Sequence, residues 1–473
     1  MSFSFSRWQP ALPFDTLAML LVHLLFAGTA LAQLQGRVGP TTSTAAKRAV
    51  KVCSVLDHGA TASQSSDIGP ALVAAFSACK SGGIIYVPPG EYGMSTWVSL
   101  SGGSGWALQL DGIIYRTGTA GGNMIYIEKA KDVEIFSSTS QGAIQGNGFE
   151  YHKDGKNGCR ILRLAHVDSF SIHDIAIVDS PLFHLFMDTV TNGEVYNLII
   201  RGGNKGGLDG IDVSGANMWL HDIEVSNRDE CVTIKNPSQY MLIENIYCNW
   251  SGGCAMGSLG GTDIDIHNIH FDKVYSANCN QMFMIKSNGG AGTVHDCSFT
   301  NFLGRHNAYT LDIDANWSQL KKHSGDGVLF RDLNFTGWHG SCSDGNRRAP
   351  INVMCPDAKP CYNIHLSDFA VWTEAGSREV YKCSNAYGEG GCLKGGGSGG
   401  ASLAAYAVTT VTVASAPSGW NAPTMAADLT TLGLSSSIPI PAVPTSFFPG
   451  ATPYSKLAGG AAASSAAAKD SGK

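Results

Sequence analysis

The feature that most constrains the fold of this chain is a six-residue pattern that recurs along its middle. Each copy reads apolar-x-Asn/Asp-apolar-x-apolar, and the polar residue returns every 23 to 28 residues. In the six clear copies that residue is Asp174, Asn197, Asp222, Asn245, Asn268 and Asp296, and a looser copy begins at Phe330. Apolar and polar residues alternate within each copy, which is the period of a β-strand. Clusters of Gly, Asn, Ser and Asp follow the copies and indicate turns.

A strand-and-turn unit repeated at this spacing predicts a solenoid. Because no helical pattern separates the copies, we expect an all-β, single-domain, right-handed parallel β-helix. Its coils would stack about 4.8 Å apart, with the Asn/Asp residues hydrogen-bonded along one ladder at a bend. The main alternative, a β-sandwich, requires hairpin turns whose signals are scarce here.

Composition agrees with a solenoid. Gly makes up 57 of the 473 residues and only 15% of residues are charged, and coils built of apolar ladders and tight turns need little charge. The net charge of −6 gives no electrostatic reason to expect nucleic acid as a partner.

The N-terminus predicts secretion. A short apolar run from Ala18 to Phe26 is followed by Ala30-Leu31-Ala32, which fits a signal-peptidase site. We therefore expect residues 1–32 to be a cleaved signal peptide, Gln33 to begin an extracellular protein, and no segment to span a membrane.

The ends of a solenoid need covering. Residues from Asp67 to Cys79 fit one capping helix, with Ser66 or Asp67 as its N-cap. We expect the capped β-helix to occupy 33–395, and a C-terminal extension that packs on it or trails it to occupy 396–456. The Ala/Ser-rich stretch 457–473 is expected to be disordered.

Secretion makes disulfide bonds the expected use of the 13 Cys residues. Four pairs close in sequence are predicted: Cys53–Cys79, Cys231–Cys248, Cys355–Cys361 and Cys383–Cys392. The odd count leaves at least one buried free thiol among Cys159, Cys254, Cys279, Cys297 and Cys342. No CxxC or paired-His spacing occurs, so no metal site is predicted. N-glycosylation sequons lie at Asn249, Asn316 and Asn334.

Acidic residues concentrate in two segments about one coil apart, GLDGIDVSG (207–215) and NRDECVTIK (227–235). Stacked coils would bring Asp209 and Asp229 together, with Asp212 and Glu230 close by. Carboxylates at this range repel one another, so at least one should have a raised pKa. A general acid beside a general base requires this difference, and glycoside hydrolysis uses such a pair.

Other interpretations of these acids stay open. A role in a turn or in a polar ladder explains any one of these Asp residues, but it does not explain why the acids cluster. The same acids could hold calcium, as in polysaccharide lyases, but Lys235 and Lys286 nearby favour an anionic substrate instead. A non-catalytic β-helix that binds sugars is the remaining possibility.

Together these segments resemble the polygalacturonase-like glycoside hydrolases of family 28, which are parallel β-helices. The family motifs NTDGID, a QDDC-type segment, GGHG and RIK correspond in order to GLDGID, NRDEC, SGGCAMGS (251–258) and MIK. The resemblance covers about Gly59 to Lys286 and beyond. Glu230 replaces the second Asp, Cys254 lies near the place of the motif histidine, and Met284 replaces the arginine. These departures resemble the rhamnogalacturonan hydrolases of secreting fungi.

This resemblance implies endo-hydrolysis of the α-1,2 bond from galacturonate to rhamnose in pectin, with inversion and no cofactor. It implies that Asp229 is the general acid and that Asp209 and Glu230 activate water, with Asp212 a weaker alternative. Hydrolysis of homogalacturonan or xylogalacturonan is the alternative activity. The implied partner is a pectic polysaccharide, and we expect a monomer that binds neither nucleic acid nor membrane.

The alternating substrate suggests further contacts. A charged sub-site needs cations, for which Lys286, Lys235 and Arg228 are candidates. A rhamnose sub-site needs an apolar face, and His306 is a further possible contact. The aromatic candidates for that face are Tyr275, Tyr309 and Trp317.

Overall fold

The computed structural model describes residues 34–342, 349–374, 380–396, 403–412, 428–432, 436–444 and 447. The predicted signal peptide (1–32), the start at Gln33 and the tail (457–473) lie outside these residues. Among the described residues, no helix has the length and apolar character that crossing a bilayer requires.

The described strands form the coils of a parallel β-helix. Their ladders are parallel, apart from the antiparallel pair β23–β25 at the C-terminal end. The helices are α1 (Thr44–Val50), α2 (Gly69–Cys79) and α3 (Phe149–His152), with a 3₁₀ turn at Val55–His58. The strands are β1 (Val52–Ser54), β2 (Ile84–Val87), β3 (Glu91–Met94), β4 (Val98–Ser101), β5 (Ala107–Leu110), β6 (Ile113–Arg116), β7 (Asn123–Glu128), β8 (Lys131–Phe136), β9 (Ala143–Gln145), β10 (Arg160–Ala165), β11 (Asp168–Val178), β12 (Leu185–Arg201), β13 (Ile211–Ser226), β14 (Glu230–Asn249), β15 (Gly253–Leu259), β16 (Ile264–Ala277), β17 (Phe283–Ser287), β18 (Gly292–Asn307), β19 (Leu311–Asp314), β20 (Leu329–Cys342), β21 (Ile351–Met354), β22 (Cys361–Thr373), β23 (Val380–Ser384), β24 (Ala386–Glu389) and β25 (Thr409–Thr412).

Apolar side chains stack inside the coils to form one continuous core. Ile172, Val195, Leu220, Ile243 and Phe271 occupy equivalent positions on successive coils and are all completely buried. Because every second residue of a strand points inward, the alternation seen in the sequence becomes this inner ladder. The predicted all-β parallel β-helix is confirmed.

Residues in the left-handed backbone region mark the bends of the coils. Asp174, Asn197, Asp222 and Asn245 stack at one bend, with φ between 46° and 57°. Asn and Asp adopt this region more readily than other residues that carry a side chain. The side-chain amide of Asn197 donates a hydrogen bond to Asp174 Oδ1 at 3.2 Å, as expected for a polar ladder.

The prediction of a single Asn/Asp ladder is wrong from Asn268 onward. The strand register places Lys273, not Asn268, next to Asn245, whereas Asn268 and Asp296 continue a second ladder that contains Tyr240. All of these residues have positive φ. The same sequence pattern occurs at both bends. The coil that follows Asn245 is longer than the sequence period, so the residue found at that spacing, Asn268, lies at the second bend and not at the bend of Asn245.

The N-terminal cap differs from its prediction at one end. Helix α2 begins at Gly69, with Ile68 at the N-cap and no side-chain capping bond from that residue. Asp67 lies outside the helix and accepts hydrogen bonds from the backbone N–H groups of Gly69 (3.0 Å) and Ser95 (3.1 Å). It therefore joins the start of the helix to the neighbouring coil.

The described parts of the C-terminal extension pack on the coils. Strand β25 pairs with β23, so the sheet continues beyond residue 395. Asp428 accepts hydrogen bonds from the Tyr247 hydroxyl and from Arg305 Nη2, the latter at 2.9 Å. Further along, Ile438 and Val443 pack against a small apolar cluster on the outer face of the coils.

All four predicted cysteine pairs form disulfide bonds, namely Cys53–Cys79, Cys231–Cys248, Cys355–Cys361 and Cys383–Cys392. The other five cysteines are buried free thiols. Asn316 and Asn334 are exposed. The glycosylation prediction at Asn249 is wrong for the folded chain, because this side chain is 0% exposed and bonds to Ala277 O and Leu429 N.

Candidate active site

The acidic segments meet where two adjacent coils enter β13 and β14. These strands pair in parallel with Asp212 opposite Thr233, and the backbone N–H of Gly210 donates to Glu230 O at 2.8 Å. The register brings Asp209 beside Asp229 and Glu230. One carboxylate oxygen from each of these three residues lies within 4.8 Å of those from the other two.

Asp229 is the most accessible acid of the cluster. It is half-buried, whereas Asp209, Asp212 and Glu230 are 5%, 1% and 7% exposed. Asp229 accepts hydrogen bonds from the backbone N–H groups of Gly207 and of Glu230, the latter at 2.9 Å. Gly207 has φ +80°, a conformation that suits Gly. These contacts hold the Asp229 carboxylate at the edge of the cluster.

Two lysines lie among the acids in different places. Lys286, on β17, bonds through Nζ to Glu230 Oε1 inside the cavity. Lys235, on β14, lies behind the cluster, with Nζ 3.3 Å from Asp212 Oδ1 and 3.9 Å from Asp209 Oδ2. Lys235 also donates to Gly257 O at 2.9 Å. Its ammonium group is therefore occupied by the protein itself.

The cluster is arranged to retain a proton. Burial, followed by the charges of Asp212 and Asp229, raises the pKa of Asp209 well above its usual range, although Lys235 and Lys286 oppose this. Burial also raises the pKa of Asp212, against the opposing charge of Lys235. Carboxyl groups that interact this closely titrate as a set, so the cluster contains both a proton donor and a proton acceptor.

An open cavity of about 690 Å³ lies over these acids. Seven of the predicted residues line it, namely the acids Asp209, Asp229 and Glu230, the cations Arg228 and Lys286, and the aromatic residues Tyr309 and Trp317. The sequence did not single out four further residues of the lining, Phe183, Asn280, Gln281 and Gln319. Asn280 and Gln281 directly precede the MFMIK segment, and their place on the coil before Lys286 is the only signal that could have indicated them.

Several predicted contacts lie elsewhere. Asp212 and Lys235 are absent from the lining of the cavity. His306 also lies outside the lining, and its imidazole contacts Glu374. Tyr275 is completely buried and stacks on Tyr247 with ring centroids 5.0 Å apart, so the prediction of a sugar contact there is wrong.

Cys254, which lies near the place of the motif histidine in the sequence, does not line the cavity. Its side chain is completely buried in the core, with Sγ 3.8 Å from Sγ of Cys248. Burial raises the pKa of its thiol beyond the physiological range, which disfavours the reactive thiolate.

The charges around the acidic cluster show whether it suits a calcium ion. Asp209, Asp229 and Glu230 are close enough to share one cation. However, Lys286 contacts Glu230 and Lys235 lies 3.9 Å from Asp209. Each ammonium group neutralises part of the charge that a calcium ion would need, so the arrangement favours acid–base chemistry.

A parallel β-helix with grouped carboxylates in an open cavity defines the class of the protein as a β-helical glycoside hydrolase. Residues 85–392 match the sequence profile of Glycosyl hydrolases family 28. The chain belongs to this family, as its motifs predict, and is a glycosidase.

Relatives cover most of the chain. It is 58% identical over 430 residues to a probable rhamnogalacturonase B of Aspergillus fumigatus, covering 90% of this chain and 82% of that protein. It is 56% identical over 451 residues to rhamnogalacturonase A of Emericella nidulans, covering 95% and 87%. The identity to rhamnogalacturonase A of Aspergillus aculeatus is 56% over 428 residues, covering 90% and 96%.

Solved structures share the fold. The endo-xylogalacturonan hydrolase of Aspergillus tubingensis matches with a TM-score of 0.65 at 23% identity, over 74% of this chain and 100% of that one. A polygalacturonase of Erwinia carotovora matches with a TM-score of 0.52 at 17% identity, over 72% and 97%.

Proposed function

We propose that this protein is a secreted endo-hydrolase that cleaves the α-1,2 bond between galacturonate and rhamnose in the rhamnogalacturonan I backbone of pectin. The observation that carries the proposal is an identity of at least 56% over at least 90% of the chain to proteins named rhamnogalacturonases. The carboxylate cluster supplies the chemistry that such an activity needs.

The lining of the cavity fits a polymer that alternates an acidic sugar with a deoxy sugar. Arg228 and Lys286 supply positive charge, which suits a uronate carboxylate. Phe183, Tyr309 and Trp317 supply apolar faces for the less polar sugar.

In the proposed mechanism, the proton that the cluster retains is shared among its interacting carboxyl groups, and Asp229, the most accessible of them, donates it to the oxygen that leaves with rhamnose. Water attacks the anomeric carbon of galacturonate as the bond to that oxygen breaks. Asp209 and Glu230 orient the water, and one of them accepts its proton. Asp212 and Lys235 lie behind them and act only through Asp209.

The substrate is tested by incubating the purified protein with debranched rhamnogalacturonan, homogalacturonan and xylogalacturonan. We expect rapid shortening of the first polymer only, and no shortening by the Glu230→Gln variant. Cleavage of homogalacturonan or xylogalacturonan alone would overturn the substrate assignment. Unsaturated products that absorb ultraviolet light, or activity lost to a chelator, would identify a lyase.

We also propose that the mature protein is an extracellular monomer. Four disulfide bonds suit an oxidising compartment, and the exposed sequons at Asn316 and Asn334 suit passage through a secretory pathway. Expression of the full chain in a fungal host should yield protein in the medium that begins at Gln33. Retention in the cell, or an intact N-terminus, would contradict this proposal.

A further inference from the structure

Arg160 is a cation near the active site that no described residue neutralises by contact. It lies at the start of β10 and is half-buried. Its guanidinium lies over the rings of Phe183 and Phe186, 5.1 Å and 5.5 Å from their centroids. Nε is buried and has no hydrogen-bond partner among the described residues. The terminal nitrogens make no hydrogen bond or ion pair with the described chain and keep access to solvent.

Arg163, the neighbouring arginine, differs from Arg160 because it has an acidic partner. Arg163, on the same strand, also lies over Phe186, but its Nη2 is 3.2 Å from Asp188 Oδ2. Arg163 is therefore already paired within the protein. Among the described residues, the charges that act on Arg160 from longer range are those of Arg163, Asp212 and Asp209.

Strand register aligns Arg160 with the catalytic cluster. Leu162, Leu185, Ile211 and Val232 are opposite one another on successive coils. The residues two positions before them are Arg160, Phe183, Asp209 and Glu230. At about 4.8 Å per coil, Arg160 lies roughly 10 Å from Asp209 along the axis. Arg160 itself lies outside the lining of the cavity, on the far side of Phe183, which lies between Arg160 and Asp209 and forms part of the cavity wall.

A guanidinium stacked on aromatic rings with its outer edge free is well prepared to bind a carboxylate. Stacking fixes the plane, and the edge presents parallel N–H donors that match the two oxygens of a carboxylate. The side chain does not need to be immobilised on binding, which favours affinity. Phe183, which lines the cavity, would cover the apolar face of the same sugar.

We propose that Arg160 binds the carboxylate of a galacturonate unit in a subsite on the N-terminal side of the cleavage point. The inference rests on the proposed function and adds to it one recognition residue and the chemical group that it recognises. The substrate chain would then run along the axis of the β-helix, from the Arg160 coil across Asp209 and Asp229 toward Lys286.

The first experiment measures steady-state kinetics of Arg160→Gln and Arg160→Lys on debranched rhamnogalacturonan. Loss of a charge-assisted bidentate contact should raise KM roughly tenfold for Arg160→Gln while kcat stays similar. Arg160→Lys, which keeps the charge and can retain the stacking, should lie between Arg160→Gln and the wild type. Arg163→Gln is the matched control and should leave KM unchanged.

The second experiment separates recognition from a structural effect. Binding of rhamnogalacturonan fragments is measured by calorimetry to Glu230→Gln and to the double variant Glu230→Gln/Arg160→Gln, with native fragments and with fragments whose carboxylates are reduced to alcohols. We expect the tenfold difference with native fragments and none with reduced fragments. An equal loss of affinity for both kinds would overturn the proposal, because a distorted site would not distinguish them.

The two proposals can fail separately. If the wild type does not cleave rhamnogalacturonan, the proposed function fails. If the wild type cleaves it and both Arg160 variants keep the KM of the wild type, the subsite is wrong and the function stands. Thermal unfolding of every variant checks the fold, and Arg160→Lys provides the result if Arg160→Gln is unstable.

Discussion

Lys235 Nζ lies 3.3 Å from Oδ1 of Asp212, whose carboxylate is only 1% exposed. Lys235, which was predicted from the sequence as a substrate contact, is therefore the counter-ion of a buried carboxylate. Lys286, three strands further along the chain, is the lysine that reaches the cavity.

Replacing Lys235 by Met should destabilise the folded protein. The change leaves Asp212 buried without its cation, and an unpaired buried charge typically costs about 3 kcal/mol. Urea unfolding at pH 7 measures the loss, and adding Asp212→Asn in the same chain should recover part of it. As a control, Lys131→Met removes an exposed pair with Asp168 and should change stability by less than about 0.5 kcal/mol. Equal losses in both variants would contradict the assignment.

Asp229→Asn, Asp209→Asn and Glu230→Gln should each lower kcat by about 10²- to 10⁴-fold, because each removes a group that transfers or orients a proton. Asp296→Asn is the matched control. Asp296 occupies a bend position that Asn268 fills on the preceding coil, and the substitution should leave activity intact. The assignment fails if any of the three active-site variants keeps the rate of the wild type.

The products should show inversion at the anomeric carbon. Inversion is implied by the family, yet inverting enzymes commonly hold their carboxyl groups roughly 6.5–9.5 Å apart, and here the nearest oxygens lie within 4.8 Å. Proton NMR of freshly released fragments measures the outcome. We expect the β-anomer of galacturonate at the new reducing end to appear first, and initial release of the α-anomer would mean that a covalent intermediate forms.

Ionisation of Asp179 should lower the free energy of unfolding as pH rises from about 4 to 6. Its side chain is completely buried, and burial raises the pKa of this carboxyl to about 6. The unfolded chain releases the proton near pH 4, so the folded state binds more protons within this window and loses stability as they leave. The change is roughly 3 kcal/mol.

Urea unfolding of the wild type and of Asp179→Asn at several pH values tests this linkage. Asn keeps an oxygen that accepts from Phe149 N, as Asp179 Oδ2 does at 3.1 Å, but it does not titrate. The difference in stability between the two proteins should therefore change across the window in favour of the variant. A difference that is constant with pH would show that folding does not shift the pKa of Asp179.

Glycans should be found at Asn316 and Asn334 and not at Asn249. The Asn249 amide donates to Ala277 O at 3.3 Å and accepts from Leu429 N at 2.8 Å, so an attached glycan would break the contact between the coils and the C-terminal extension. Glycopeptide mass spectrometry of protein secreted by a eukaryotic host measures the occupancy. A glycan on Asn249 in folded, active protein would contradict the structure.

The sequence by itself determined the architecture, because a β-helix depends on short-range features. Strand alternation sets which residues enter the core, and Asn or Asp marks a bend, as at Asp174 and Asn197. Cysteines close in sequence are close in space when they lie on one coil or on adjacent coils. The spacing of Asp209 and Asp229 likewise approximates one coil, so the acidic cluster was predictable.

Only the tertiary structure decided which side chains face one another across the coils. Coils differ in length, and the register that stacks them is set by backbone hydrogen bonds between strands whose paired residues are 21 to 36 positions apart. That register moved Asn268 to the other bend, turned Lys235 toward Asp212 and aligned Arg160 with Asp209. Asn249 accepts a hydrogen bond from Leu429, which lies 180 residues away. The sequence around Asn249 does not indicate so distant a contact.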